Sequence, residues 1–254
     1  MINWRGMYIL FSKEVWRFLK VTIQTIITPV VTVLLYLLVF SSVLSEHVEV
    51  YKGVSYTAFL IPGLIMMSVL QNSFANNSSS IFQSKLNGNI VFMLLAPISD
   101  FEMYIAYTGA ATLRGVLVGI GAWVISSLFV VLPVHSFFYL TAFAVIGSAI
   151  LGSLGMISSI CADKWDHIAA FQNFVIMPLS FLSGAFYSIN ILPDFWQKVS
   201  LFNPFFYMID GFRYGFLGVS DISVIYSLSV VIFFFVVVSI ICLWILKSGY
   251  KLRD

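Results

Sequence analysis

Long uncharged, apolar stretches alternate along the chain with short segments that carry the charged residues. The uncharged runs are residues 21–45, 53–84, 103–113, 115–162, 167–193 and 222–246. A helix needs about 20 mostly apolar residues to cross the hydrocarbon core of a bilayer. The pattern therefore predicts several membrane-spanning helices joined by short polar loops.

The longest run, residues 115–162, must cross the membrane twice, because as a single helix it would extend about 70 Å. Pro133, followed by His135 and Ser136, marks the break between the two crossings. Arg114 joins the 103–113 run to the first of them. The pattern thus predicts six spans, at about 21–43, 57–82, 104–130, 137–161, 168–188 and 222–246.

The basic residues are unequally divided between the two sides of this predicted topology. An even number of spans places both termini on one side, and that side collects nine basic residues against three on the other. Basic residues concentrate on cytoplasmic loops, so we predict that both termini are cytoplasmic. The nine are Arg5, Lys13, Arg17, Lys20, Lys85, Lys164, Lys247, Lys251 and Arg253, and the three are Lys52, Lys198 and Arg213.

Residues 1–20 form a separate, amphipathic helix in this interpretation. At helical spacing the apolar face carries Trp4, Met7, Tyr8, Phe11, Val15, Phe18 and Leu19, and the polar face carries Arg5, Ser12, Lys13, Arg17 and Lys20. Such a helix is expected to lie on the inner leaflet with its basic residues toward anionic headgroups. The alternative is a short soluble helix that packs on a partner chain.

Composition supports a single all-α integral membrane domain. Apolar residues make up 60% of the 254 residues and charged residues only 9%, whereas soluble domains carry about 25% charged residues. This balance excludes an ordinary soluble enzyme, a nucleic-acid binder and a disordered chain. We expect residues 1–20 to form the interfacial helix and residues 21–254 to form one six-span domain.

Candidate chemistry is sparse, which points away from an enzyme. The sequence has no phosphate-binding G-x-x-x-x-G-K-[ST] loop and no catalytic or metal-binding motif, and His47, His135 and His167 lie in three separate loops. We expect no cofactor and no metal. None of the six predicted spans contains Asp or Glu, which argues against proton coupling, so energy is expected to enter from outside this chain.

Two polar features fall inside the predicted spans. Arg114 is a contact either for an anionic substrate or headgroup, or for the carbonyls of a neighbouring helix. Asn72, Asn76, Ser79 or Ser80, and Gln83 recur at helical spacing along one face of the second span. This stripe either lines a translocation path against a second copy of the chain or forms hydrogen bonds between helices. We list Asn72, Asn76, Ser80 and Arg114 as candidate path residues.

Small residues mark close helix contacts. Gly115 and Gly119 in the third span and Ser148 and Gly152 in the fourth have the four-residue spacing that lets membrane helices approach closely. This pattern predicts packing, not function.

Two loops attract attention as interaction sites. Residues 82–99, on the inner side, contain an apolar segment too short to span that ends at Pro97, and predict a short helix at the membrane surface. Residues 189–220, on the outer side, are rich in aromatic residues and predict short helices that dip into the outer leaflet. Asp210 and Arg213 there have the spacing of an ion pair. An aromatic belt that anchors the protein is the alternative for this stretch.

The order of these features resembles the type-2 ABC transporter permeases. The resemblance rests on the amphipathic N-terminal helix, the six spans, the segments 94–99 (LLAPIS), 182–188 (LSGAFYS) and 192–193 (LP), and above all 203–218 (NPFFYMIDGFRYGFLG). It covers essentially the whole chain and is greatest for small bacterial inner-membrane permeases and nodulation-factor or polysaccharide export permeases.

The resemblance implies a homodimer that works with two cytoplasmic ATPase subunits in the bacterial inner membrane, in contact with lipids. Residues 82–99 would be the coupling helix, residues 1–20 the gating helix and residues 189–220 the outer mouth. Substrates in the family are lipids, glycans or hydrophobic drugs moved outward. The implied coupling residues are Lys85, Leu86, Asn87, Ile90, Leu94 and Pro97, and the implied outer-gate residues are Phe195, Trp196, Phe205, Phe206 and Tyr207.

Two other functions compete with an exporter subunit. A secondary carrier or channel would act without nucleotide, with sodium coupled through carbonyls and hydroxyls. A membrane-embedded enzyme would need a nucleophile–base pair or a metal cluster, for which the sequence offers no motif.

Overall fold

The protein's computed structural model describes residues 3–44, 49–51 and 54–252, and the fold is built almost entirely from helices. The helices are α1 Trp4–Leu19, α2 Thr28–Leu44, α3 Tyr56–Leu86, α4 Ile90–Leu95, α5 Asp100–Ser126, α6 Phe137–Cys161, α7 Trp165–Phe171, α8 Met177–Phe181, α9 Asp194–Leu201, α10 Pro204–Leu217 and α11 Val224–Ser248. Two π-helical turns (Ile23–Ile27 and Gln172–Ile176), a 3-10 turn (Ile189–Ile191) and the antiparallel strands β1 (Glu49–Tyr51) and β2 (Val54–Ser55) complete the described part. The predicted all-α membrane fold is confirmed.

Five helical segments are long and apolar enough to cross a membrane among the residues described, and they match five of the six predicted spans. They are Ile23–Phe40, Tyr56–Leu86, Asp100–Ser126, Phe137–Cys161 and Val224–Ser248. The predicted span at 168–188 is instead a composite of α7, a π-helical turn and α8 that stops at Phe181. The count of six crossings therefore stays a prediction.

Each π-helical turn ends two residues before a proline, and this explains its position. Ile23–Ile27 precedes Pro29, and Gln172–Ile176 precedes Pro178. A proline cannot donate a backbone hydrogen bond, and its ring clashes with the carbonyl four residues earlier. A wider turn relieves that clash and lets the helix continue.

The helix ends follow local sequence signals. Ser99 and Glu102 form a reciprocal capping box at the start of α5, and Asn203 caps α10 ahead of Pro204. Gly218 ends α10 and Gly249 ends α11, each in the left-handed conformation that favours glycine.

Helix α3 lies at the centre of the bundle and packs against α2, α5, α6 and α10. The predicted close contacts at small residues are confirmed. A Cβ atom on Gly115 would lie 2.8 Å from Ser148 Oγ of α6, and one on Gly119 would lie 2.6 Å from Val69 of α3. The small residues thus permit the three long helices α3, α5 and α6 to pack tightly.

Both described chain ends lie at the same end of the bundle, which we call the terminal end. Asn3 donates from its side chain to the Pro97 carbonyl over 2.8 Å, and Lys251 reaches the Cys161 carbonyl and the Asp163 carboxylate at the end of α6. The hydrogen bond from Lys251 lowers the pKa of Asp163. The assignment of this end to the cytoplasm stays a prediction, and Lys52 and Arg253 of the basic count lie outside the described residues.

Helix α1 packs on α5 of its own chain, and its placement on the inner leaflet stays a prediction. Its buried side chains are Leu10, Glu14 and Phe18. Of the predicted apolar face, Trp4 and Tyr8 are exposed and Phe18 is buried. The surface by which α1 packs on the bundle thus includes a carboxylate.

Candidate functional site

The polar segment of α3, residues 71–80, is largely buried and binds the helices around it. Asn76, Asn77, Ser73 and Ser80 are at most 2% exposed. Asn77 donates to the Gly152 carbonyl of α6 over 2.9 Å, and Asn76 donates to Asn77 over 3.1 Å. Asn77, which is not part of the predicted stripe, thus joins α3 to α6, and the bond from Asn76 lies within α3.

A compact network of charged and polar side chains joins α1 to this segment. Arg17 donates to the backbone carbonyl and the side-chain oxygen of Asn76 over 2.8 and 2.9 Å, and to Glu14 over 3.0 Å. Ser80 donates to the same Glu14 carboxylate over 2.6 Å. Glu14 is fully buried, and Lys13 pairs with its other oxygen at 3.3 Å.

The expectation that Arg17 faces lipid headgroups is therefore wrong. Its guanidinium points into the bundle because the buried carboxylate of Glu14 lies one turn earlier on α1. Arg5, Lys13 and Lys20 are exposed, as the polar face predicts. Sequence reasoning missed Glu14, although its place in the series Leu10, Glu14, Phe18 was a detectable signal, since an acid at helical spacing between buried apolar residues needs a partner.

Arg114 lies on α5 and contacts α3 at Asn72. This contact is about two helical turns from Ser80, which contacts Glu14 of α1. Arg114 is 8% exposed, and its Nη2 donates to the side-chain oxygen of Asn72 over 3.1 Å. Its Nε has no hydrogen-bond partner among the described residues. Three of the candidate path residues thus contact a neighbouring helix. Asn72 contacts Arg114 of α5, and Asn76 and Ser80 contact α1.

The short helix predicted in residues 82–99 is present as α4, but the residues it exposes differ from those singled out. Leu86, Asn87 and Pro97 are exposed, whereas Ile90 is buried and Leu94 is half-buried. The most exposed apolar side chains of the loop include Val91, Phe92 and Leu95, at 50, 73 and 77% exposure. Periodicity alone could not tell which face of so short a helix turns outward.

Lys85 is directed away from the exposed surface of this loop. Its ammonium donates to the carbonyls of Ile160 and Ala162, over 2.7 and 3.0 Å, at the end of α6. A cation at a helix C-terminus satisfies free carbonyls and the helix dipole. These contacts join the end of α3 to the end of α6, and the implied role of Lys85 in coupling stays a prediction.

A cavity of about 830 Å³ opens between α1, the end of α3 and α4. Its wall combines apolar side chains with three basic residues, Arg5, Lys13 and Arg17, and contains no acidic residue among those described. Ser80 and Arg17 line it as well, so the cavity reaches the lower end of the polar segment of α3.

At the opposite end, the aromatic residues implied as an outer gate fall into two groups. Phe195 and Trp196 of α9 are exposed, whereas Phe205, Phe206 and Tyr207 of α10 are at most 5% exposed. The latter three are part of the main apolar core. Short helices are present as predicted, and their entry into the outer leaflet stays a prediction.

The predicted pair of Asp210 and Arg213 is confirmed. The two side chains lie 3.8 Å apart and both are fully buried. Arg213 also donates to the Gly184 carbonyl over 2.7 Å and lies over the Phe59 ring of α3. The pair thus joins α10 to α3 and to the loop after α8.

Asp221, which sequence reasoning did not single out, is the centre of a second network beside this pair. Its carboxylate accepts from Tyr51 of β1, Ser188, Asn190 and the Ile189 backbone over 2.5–3.1 Å. Burial, with the hydrogen bond to Asp221, raises the pKa of Tyr51. The backbone N–H of Asp221 donates to the Asp210 carboxylate over 2.9 Å. No local sequence signal links residues 170 positions apart.

Within the described ranges, no group of three or more His, Cys, Asp or Glu side chains could hold a metal ion. His47 lies outside those ranges.

Comparison with known proteins agrees with this architecture. The model of the family described as ABC-2 type transporter matches residues 5–217. The chain is 37% identical over 253 residues to the inner membrane transport permease YadH of Escherichia coli (strain K12), covering 100% of this chain and 99% of that protein. It is 25% identical over 236 residues to nodulation protein J of Rhizobium leguminosarum bv. viciae, covering 92% and 88% of the two chains. The chain therefore belongs to the ABC-2 type transporter family, as a multi-pass inner-membrane permease subunit rather than a catalytic enzyme.

Proposed function

We propose that this chain is the membrane subunit of an ATP-driven exporter that moves an amphiphilic molecule outward across the inner membrane. The chain would act as a homodimer on which two separate ATPase subunits dock at the cytoplasmic face. The substrate would be a lipid, a glycan or a hydrophobic drug. Residues 1–20 would gate the path, and residues 21–254 would form the single permease domain.

The observation that carries this proposal is the exposed apolar ridge of α4. Val91, Phe92 and Leu95 project from a short helix that ends shortly before Ser99, the N-cap residue of α5. Exposed apolar side chains grouped on one element favour a protein partner over water. An ATPase that held this ridge would move the start of α5 directly.

Helix α1 offers a second connection from the docking loop to the polar segment of α3. Its Asn3 binds the Pro97 carbonyl and, through its backbone N–H, Glu102. Arg17, near its other end, binds Asn76. A displacement of the loop would therefore be transmitted along α1 to the candidate path residues, which suits a gating helix.

The buried outer network supports a gate built differently from the implied one. Phe195 and Trp196 are free to meet a second copy or lipid, while Phe205, Phe206 and Tyr207 would give the outer mouth a rigid base. The Asp210–Arg213 pair and Asp221 would hold that base to α3 and β1.

Co-purification with the cognate ATPase tests the proposal. Phe92→Ser should reduce the amount of ATPase retained by the purified chain severalfold, because it removes the largest apolar side chain of the ridge. Phe202→Ser, which alters an 89% exposed phenylalanine at the opposite end of the bundle, is the matched control and should retain the ATPase. Equal retention by both variants, or failure of the wild-type chain to bind, would contradict docking at α4.

A further inference from the structure

Two arginines approach the polar segment of α3 one helical turn apart, and their surroundings differ sharply. Arg17 binds Asn76 and is neutralised by the buried Glu14. Arg114 binds Asn72, four residues earlier, through one hydrogen bond to a neutral amide. Among the described residues no carboxylate lies within ion-pair distance of Arg114.

This arrangement leaves a buried positive charge without a counter-ion. A charged side chain inside a membrane protein is costly and usually pairs with an opposite charge or a set of carbonyls. Asn72 offers Arg114 only its side-chain oxygen, since its amide nitrogen is a donor and itself donates to the Ser68 carbonyl over 3.0 Å.

The free donors of Arg114 have the geometry to bind an oxyanion. Its Nε is buried without a partner, and its Nη2, on the same edge of the guanidinium, contacts a single acceptor. That edge presents parallel N–H groups that match two oxygens of a phosphate.

The cavity beside α1 gives such an anion a route as far as Ser80, on the same helix as Asn72. It opens near α4, is lined by Arg5, Lys13 and Arg17 without a described acidic residue, and ends at Ser80. Ser80 and Asn72 are eight residues apart on α3, which is about 12 Å along a helix. Beside the inner end of the cavity Glu14 pairs with Lys13 and Arg17, so Arg114, which contacts α3 farther along at Asn72, is the first buried positive charge without a counter-ion among the described residues.

We propose that Arg114 binds the phosphate-bearing headgroup of an amphiphilic substrate that enters through this cavity. The proposal rests on the export function proposed above and narrows its substrate to anionic amphiphiles. Asn72 positions the guanidinium, and the headgroup oxygen atoms accept from the Nε edge. Displacement of α1 would clear the way along the polar segment from Ser80 to Asn72.

Thermal unfolding of the purified full-length chain tests this assignment. The chain is measured in detergent micelles mixed with phosphatidylcholine, with and without phosphatidylglycerol, and in a third series with inorganic phosphate and no lipid. A ligand that binds the folded state raises Tm. We expect phosphatidylglycerol to raise the Tm of the wild-type chain by several degrees above phosphatidylcholine alone.

Two variants change the charge balance at Arg114 in different ways. Arg114→Gln removes the guanidinium, and Asn72→Asp gives Arg114 a counter-ion from within the protein. Both should lose more than half of the rise caused by phosphatidylglycerol, while Asn72→Asp alone should raise Tm without any anion. Lys164→Gln removes an exposed positive charge elsewhere at the terminal end and should keep the full rise.

A purely structural Arg114 predicts a different result. Arg114→Gln would then lower Tm in every lipid mixture, and both variants would keep the wild-type rise with phosphatidylglycerol, which would overturn the proposal. Inorganic phosphate alone could also raise the Tm of the wild-type chain by the same amount, with the rise lost in the same two variants. That result would overturn a lipid as the ligand and assign the site to a soluble phosphate compound. Because none of these readings uses the ATPase, they fail or succeed independently of docking at α4.

Discussion

At the scale of single residues, the buried charges of α1 decide how this helix sits on the bundle. Glu14 is the only described carboxylate paired with Arg17. It also pairs with Lys13 and accepts a hydrogen bond from Ser80. Removal of one partner from a buried network of charges strongly lowers the free energy of unfolding, because the remaining charge stays buried without its counter-ion.

Glu14→Gln should therefore destabilise the protein by about 3 kcal/mol, the lower end of the range for a broken buried ion pair. Thermal unfolding in detergent measures this loss. Lys13→Gln is the control, since Lys13 is nearly half exposed and its pair with Glu14 is expected to contribute less than about 1 kcal/mol. Similar losses in the two variants would show that the carboxylate of Glu14 does not hold α1 in place.

At the scale of helices, close packing at glycine positions sets the distances between α3, α5 and α6. A Cβ on Gly115 would lie 2.8 Å from Ser148 Oγ and 3.0 Å from the Val69 carbonyl oxygen, and backbone atoms move little. A Cβ on Gly109 of the same helix would meet the Phe11 ring at 3.4 Å, an ordinary contact.

Gly115→Ala should consequently lower stability by about 1–3 kcal/mol through overpacking. Gly109→Ala should be neutral or stabilising, because alanine is the better helix former. Chemical or thermal denaturation of the two variants side by side gives the comparison. Stabilisation by both substitutions would mean that α3 and α5 are farther apart than described.

At the scale of the whole molecule, the two ends of the bundle are held by different chemistry. The terminal end uses lysines on the carbonyls of α6, and the opposite end uses Asp210, Arg213 and Asp221. Asp221 in particular holds β1 and the loop at 188–190 to the end of α10.

Asp221→Asn should loosen this opposite end without unfolding the bundle. Loss of hydrogen bonds to a charged acceptor, about 1.5–3 kcal/mol, should raise amide hydrogen exchange in residues 184–192 roughly tenfold or more. Asp194→Asn, at an exposed aspartate of α9, should leave exchange there unchanged. Unchanged amide hydrogen exchange in the Asp221→Asn variant would show that Asp221 does not hold residues 184–192 in place.

Most of the fold could be predicted from the sequence because membrane spans are encoded locally, by runs of apolar residues. The fourth predicted span, 137–161, coincides with α6. The span at 168–188 was less accurate because Pro178 and the turn at Gly184 interrupt the helix that hydropathy alone extends. The bonds of Asp221 to Tyr51, and of Arg17 and Glu14 to α3, join residues that are distant in the sequence, so periodicity could not predict them.

The central claim is that the chain depends on a separate ATPase to move its substrate. The direct measurement is movement of a fluorescent phosphatidylglycerol between the leaflets of vesicles that contain the purified chain alone, or the chain with its ATPase. We predict ATP-dependent outward movement only when both proteins are present. Movement of the same extent by the chain alone, with or without an ion gradient, would contradict the account.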